Sequence, residues 1–175
     1  CDVTCLVVND LLGGELAAAD VFLDGQRIMA HMWNRLSSGI EVDLTRAQWD
    51  ALAPLLAERE LLPYLDLAYQ GYGDGIEEDA YAVRLMADQG LTFFVANSFS
   101  KSMSVYGERA GALSLVCADA AEADLALGQL KATVRRNYSS PPIHAAGIVA
   151  RVLTDAKLRP QWEAEVAAMR ERILA

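Results

Sequence analysis

Apolar and polar positions alternate along this chain in two periods, one helical and one extended. Residues 1–44 carry the weakest pattern: Val3 to Val8 reads as a buried strand and Glu15 to Phe22 as a short helix. Gly13-Gly14, Asp24-Gly25 and Ser37-Ser38-Gly39 read as turns. From Thr45 the signals sharpen. Thr45 and Gln48 fit a capping box, after which Trp49, Leu52, Leu55 and Leu56 fall on one helical face. Pro54 lies inside that pattern and predicts a kink or irregularity. The apolar run Leu61 to Leu65 predicts a buried strand ending at Asp66, followed by a loop with Gly71, Gly73 and Gly75 and a helix from Glu77 to Asp88. Leu91 to Ala96 and Gly111 to Ala118 predict two further strands around a polar segment, Asn97 to Arg109. A helix follows from Ala120 to Arg136, is broken at Tyr138-Ser139-Ser140-Pro141-Pro142, and gives way to helices over 143–155 and 160–175. Strands alternating with helices predict an α/β fold with crossover helices.

The 175 residues suit one domain with a real core. Hydrophobic residues make up 53% and charged residues 22%, and no apolar run approaches the roughly 18 residues of a membrane span. A formal charge of −9 disfavours nucleic acid as a partner, though a few donors and an arginine would still hold one local anion. The three cysteines, Cys1, Cys5 and Cys117, form neither a disulfide framework nor a zinc set, so a reducing, cytoplasmic setting and no metal are expected. No signal peptide is recognisable. The chain begins without Met and keeps a helical pattern to Ala175, as expected of a piece of a longer protein.

Chemistry concentrates in the polar segment. Ser98, Ser100, Lys101 and Arg109 lie between two apolar strands, and loops leaving the carboxyl ends of strands are where open α/β sheets bind ligands. Hydroxyls and a guanidinium suit a phosphate, and a nearby lysine can form a Schiff base with a carbonyl. Pyridoxal phosphate offers both groups. The same residues also fit a solvated loop with an ordinary lysine. Asp66 suits a protonated ring nitrogen, or equally a turn before the glycine loop. The glycines at 71, 73 and 75 lack the spacing of a dinucleotide-binding turn.

The run Leu65-Asp66-Leu67-Ala68-Tyr69-Gln70-Gly71-Tyr72-Gly73-Asp74-Gly75 resembles the ring-binding segment of the aspartate and aromatic-amino-acid (tyrosine) aminotransferases, class I pyridoxal-phosphate enzymes. Asn97-Ser98-Phe99-Ser100-Lys101, with Tyr106, Glu108 and Arg109, resembles their lysine segment, and Asn137 to Pro142 a third. The resemblance begins near Val42 and is closest to the bacterial aromatic branch. It implies a partial type I large domain over 42–175, a mostly parallel sheet flanked by helices, without the small domain. Residues 1–41 stay outside it.

The resemblance also implies roles. Lys101 forms the Schiff base and moves a proton between substrate and cofactor. Asp66 pairs with the ring nitrogen, Tyr69 donates to the ring's phenolic oxygen, and Ser98, Ser100 and Arg109 hold the phosphate. Arg135, assisted by Ser139, binds a substrate carboxylate in the neighbouring subunit of a homodimer, with Arg136 the competing assignment. The implied reaction is transamination between an aromatic or dicarboxylic amino acid and a 2-oxo acid. Departures accompany it. The family's Asn-Pro-Thr-Gly turn is absent from Leu36 to Asp43, with Asn34 out of register; Ser140 stands for asparagine, and His144-Ala145-Ala146 for His-Gly-Ala. They leave a second reading: an inert remnant of such an enzyme serving as a binding module.

Overall fold

A computed structural model describes residues 44–175 in full and, before them, the backbone of three strands. The chain divides into two compact units, Cys1–Ala51 and Leu52–Ala175.

In the first unit, β1 (Glu15–Leu23) pairs antiparallel with β2 (Gln26–Arg35), and β2 with the short β3 (Glu41–Val42). The helix expected over Glu15 to Phe22 is therefore corrected to a strand. Its alanines favour helix locally, but a ladder with β2 from Glu15↔Arg35 to Leu23↔Gln26 overrides local propensity. The Asp24-Gly25 dipeptide between two runs was the available hairpin signal. The predicted strand at Val3 to Val8 and the turns at Gly13-Gly14, Asp24-Gly25 and Ser37-Ser38-Gly39 lie outside the described residues.

Helix α1 (Arg46–Glu58) spans the division between units. The Gln48 Oε1 accepts from the Thr45 backbone N–H at 2.7 Å, so the start predicted from the capping pair is the one observed. The helix runs on through Pro54.

In the second unit, β4 (Tyr64–Leu67), β5 (Phe93–Ser98) and β6 (Gly111–Val116) form a sheet in that order. The first pairing is parallel and the second antiparallel. The α/β expectation holds, with a mixed sheet among the described strands. β4 starts later than predicted because Leu61 and Leu62 are exposed and Pro63 has no N–H to give; its carbonyl accepts from Phe94 instead. Asp66 consequently sits inside the strand, not at its end. The helix expected from Glu77 begins as a 3-10 turn, Glu78–Ala80, and becomes α2 (Tyr81–Asp88), which crosses from β4 to β5. Then come α3 (Ala120–Asn137), capped where the Asp119 carboxylate accepts from the Glu122 N–H at 2.8 Å, α4 (His144–Thr154) and α5 (Leu158–Leu174). The last helix starts earlier than predicted, because Pro160 fits its first turn, where no N–H is required. The core includes Leu56 of α1, Leu65, Phe93 and Val95 of the sheet, Met86 of α2, Val149 of α4 and Val166 of α5.

Strand alternation divides the sheet into two faces. Register pairs Leu65 with Val95, both buried, and Asp66 with Ala96. Successive side chains alternate, so Asp66, Ala96 and Ser98 share the opposite, more open face. Because β4 and β5 are parallel, the segments leaving their carboxyl ends, Ala68 onward and Phe99 onward, emerge at one edge. β6 starts at that edge, which brings Arg109 there too.

Candidate active site

The edge is built by two loops and one supporting helix. The first loop follows β4. Gly71 has φ 97°, and a Cβ there would lie 2.7 Å from Val166 Cγ1, so both backbone and space require glycine. One carboxylate organises the turn. Asp79 Oδ2 accepts from the N–H groups of Gly71 and Gly73 at 2.8 and 3.0 Å, and its Oδ1 from Asp74 and Gly75 at 2.8 and 3.3 Å. Sequence reasoning missed Asp79; the signal was an acid opening a helix just after a glycine-rich turn, where backbone donors need an acceptor.

The second loop follows β5 and carries Lys101. Lys101 is half-buried, and its Nζ stands 4.7 Å from the centroid of the exposed Tyr69 ring, within cation–π range. Ser98 Oγ accepts from the Ser100 N–H at 3.3 Å. Ser100 is 4% exposed, and its hydroxyl has no hydrogen-bond partner among the described residues. Arg109 adopts a left-handed backbone at φ 54°, and its exposed guanidinium donates to the Tyr106 carbonyl at 3.2 Å. Such a conformation in an arginine is a local cost that the fold sustains.

Helix α5 braces both loops. Trp162 Nε1 donates to the Ser102 carbonyl at 2.6 Å, and Arg170 to the Asp74 carbonyl at 2.9 Å. Tyr72 donates to the Lys101 carbonyl at 3.1 Å. Burial first, then neighbouring Tyr106, push the Tyr72 phenol above its usual value, which keeps it a donor. Under the loops lies a cavity of about 290 Å³, lined among others by Gln70, Asn97, Ser102, Met103 and Trp162. There Asn97 Nδ2 donates to Gln70 Oε1 at 3.3 Å, and Gln70 Nε2 to the Ile76 carbonyl at 2.9 Å. Tyr72, Trp162 and Gln70 were also missed, since aromatic and amide residues near a loop carry no distinctive spacing.

The structure thus brings Tyr69, Ser98, Ser100, Lys101 and Arg109 to one edge, with Asp66 on the open face of the adjoining strand. Asp66 is exposed and makes no ion pair among the described residues. Arg135 and Ser139 lie together at the end of α3, exposed, with the guanidinium donating to the Ser139 hydroxyl. Cys117 is no rival nucleophile: burial and the Glu122 and Asp119 carboxylates hold its thiol above the usual range. Among the described residues, no cluster of three or more His, Cys, Asp or Glu side chains could hold a metal.

The aminotransferase class I and II family profile matches residues 39–175. The chain belongs to that family. Its second matching profile, described as YunG protein, covers residues 1–62. Within the family, the chain is 61% identical over 133 residues to the aromatic-amino-acid aminotransferase of Escherichia coli (strain K12), covering 76% of this chain and 34% of that one. Its structure is similar to the psychrophilic aromatic amino acids aminotransferase from Psychrobacter sp. B6, cocrystallised with aspartic acid, at a TM-score of 0.74, with 55% identity over 75% of this chain and 33% of the other. The aromatic-amino-acid aminotransferase from Burkholderia pseudomallei, covalently bound to pyridoxal phosphate, matches at a TM-score of 0.73, with 52% identity over the same shares. The chain spans about a third of the length of the curated relatives it matches. Among the described residues, no helix is long and apolar enough to cross a membrane.

Proposed function

We propose that this chain carries the pyridoxal-phosphate edge of an aminotransferase acting between an aromatic or dicarboxylic amino acid and a 2-oxo acid. The observation that supports it most is the Lys101 amine over the Tyr69 ring, at a sheet edge that also carries serine hydroxyls and an arginine. These residues fit the cofactor. The buried Ser100 hydroxyl has a donor to give, Arg109 offers an exposed fork of donors, and Asp66 is an exposed carboxylate without an ionic partner on the same face as Ser98. When bound, the pyridoxal ring supplies an electron sink for charge developed on the substrate α-carbon.

Each residue then has a task. Lys101 would be the residue that attaches the cofactor through its Nζ, and, once the substrate's amino group has taken that place, the freed Nζ would carry a proton to or from the substrate α-carbon. Asp66 would pair with the ring nitrogen and favour its protonated form. Tyr69 would donate to the ring's phenolic oxygen. Ser98, Ser100 and Arg109 would hold the phosphate by charge-assisted hydrogen bonds. Arg135, with Ser139 beside it, receives a substrate carboxylate in a neighbouring subunit, a role that its exposure supports. We further read residues 42–175 as part of a large domain, residues 1–41 as a separate segment, the parent as a homodimer, and its setting as cytoplasmic.

The sequence holds three lysines, Lys101, Lys131 and Lys157, so a covalent test is direct. The purified chain is mixed with pyridoxal phosphate, reduced with borohydride and mapped by peptide. Label concentrated at Lys101 and lost in Lys101→Ala is the expected result. Label spread evenly over Lys131 and Lys157 overturns the proposal.

A further inference from the structure

One residue touches both Lys101 and Tyr69. The Tyr72 ring meets the Tyr69 ring edge-on, with centroids 6.4 Å apart at 85°. The Tyr72 hydroxyl lies 3.1 Å from the Lys101 carbonyl oxygen and 3.6 Å from Met169 Sδ. Oxygen is the stronger acceptor, so the proton belongs mainly to the Lys101 carbonyl. With Lys101 Nζ 4.7 Å from the Tyr69 ring, the contacts close a cycle: lysine amine to Tyr69, Tyr69 to Tyr72, Tyr72 back to the lysine's own backbone.

We propose that Tyr72 is a positioning residue for Lys101, its hydroxyl fixing the backbone from which the amine reaches over the Tyr69 ring. A long flexible side chain keeps one direction only if its root is held. The Lys101 loop is a twelve-residue connection, 99–110, and needs such anchors. Two consecutive carbonyls supply them. Lys101 O accepts from Tyr72 of the first loop as well as from the Ser104 N–H of its own turn, each at 3.1 Å, and Ser102 O accepts from Trp162 of α5; of the two bonds to Lys101 O, only that of Tyr72 comes from outside the loop. Tyr72 differs from Trp162 in also touching the surface on which the amine rests. It is half-buried, so its hydroxyl is partly shielded from competing water. A tyrosine present only for packing would use its ring and leave the loop indifferent to its hydroxyl. That difference is measurable.

The test uses the full chain without any added cofactor. Reductive methylation with 13C-formaldehyde gives each of the three lysines a carbon signal. The Tyr69 ring current displaces the Lys101 signal from those of Lys131 and Lys157, and Lys101→Arg assigns it. Tyr72→Phe, which deletes only the hydroxyl, is expected to move the Lys101 signal toward the other two while the far-ultraviolet circular dichroism is kept. Tyr69→Leu is expected to abolish the displacement with Tyr72 intact, and Met169→Leu to preserve it. A Lys101 signal unmoved in Tyr72→Phe overturns the inference, as does one that collapses in Met169→Leu alone.

A second measurement rests on the cofactor reading above. Half-saturation of borohydride-fixed label at Lys101 is expected to need roughly two- to tenfold more pyridoxal phosphate in Tyr72→Phe, the span of one net hydrogen bond. The two ideas fail separately. No label at Lys101 in the unaltered chain, with a signal that still collapses in Tyr72→Phe, sinks the cofactor reading and supports the positioning role. Normal label and an unmoved signal in Tyr72→Phe overturn the positioning role alone.

Discussion

The two polar segments that hold the candidate site are built differently. The Lys101 loop is anchored at consecutive carbonyls by Tyr72 and Trp162, contains the buried Ser100 and Ser102, and faces a first loop held by Asp79. The end of α3 has no such frame. That helix buries no residue, and Arg135 and Ser139 are exposed and bonded to each other. The contrast matches the demands of the two proposed tasks. A covalent attachment point must be held in one geometry before its ligand arrives, because misplacement by an ångström costs orders of magnitude in rate. An arginine that serves a neighbour is ordered by what it meets.

The comparison breaks most readily at Asp79. Asp79→Ala removes the acceptor of four backbone N–H groups at Gly71, Gly73, Asp74 and Gly75. Partly exposed bonds to a carboxylate predict a loss of about 2–4 kcal/mol in unfolding free energy by urea titration, together with weaker labelling of Lys101. A urea midpoint equal to that of the unaltered chain would show that the loop holds itself. Gly71→Ala comes next, at about 1–3 kcal/mol, from positive φ and a Cβ placed 2.7 Å from Val166 Cγ1. Because Val166 is itself core, the steric part is read from a double-mutant cycle with Val166→Ala, and a coupling energy equal to the whole Gly71→Ala loss would exclude the backbone contribution.

Legibility followed the range of each interaction. Elements fixed by neighbours in sequence were readable. Examples are the Thr45–Gln48 start of α1 and the helices after Asp119 and Pro142. So were residues whose chemistry is distinctive in a short run, Lys101 among its serines above all. What failed depended on distant partners. Glu15–Leu23 is the exception: its partner Gln26–Arg35 is next in sequence, and its alanines outweighed the hairpin signal at Asp24-Gly25. Asp66 read as a strand-end carboxylate, but only the register with Ala96 places it inside the strand, on the face that Ser98 shares. Tyr72 and Trp162 act on Lys101 and Ser102 across 29 and 60 positions of sequence, a distance at which no spacing rule operates.

A smaller effect tests the brace behind the loops. Asp155 Oδ1 accepts from the N–H groups of Lys157 and Leu158 at 2.9 and 3.2 Å, at the start of α5. Those bonds chiefly, with help from Arg151, hold its carboxyl below the ordinary aspartate value. A depressed carboxylate contributes stability that is full above its unfolded pKa of about 3.9 and is lost as pH falls through the lower folded value. Thermal midpoints followed from neutral to acid pH should therefore drop in that window, and Asp155→Asn should flatten the drop. An unchanged acid profile in Asp155→Asn would assign the sensitivity elsewhere.

Arg135→Ala should do least of all. Its guanidinium is exposed and, among the described residues, bonds only to a neighbouring exposed hydroxyl, so the unfolding free energy should stay within about 0.5 kcal/mol. Lys101 labelling by pyridoxal phosphate should also be unchanged, because the contacts that position that lysine come from the β4 loop and α5. The combination is what discriminates. A surface arginine without a role predicts the same null in this chain. It does not predict that the same substitution, in the homodimeric parent proposed above, would weaken dicarboxylic substrates more than aromatic ones. If Arg135→Ala instead lowers Lys101 labelling in this chain alone, the end of α3 and the lysine loop are one coupled site, and the division between a rigid cofactor edge and an arginine held out for a neighbour is wrong.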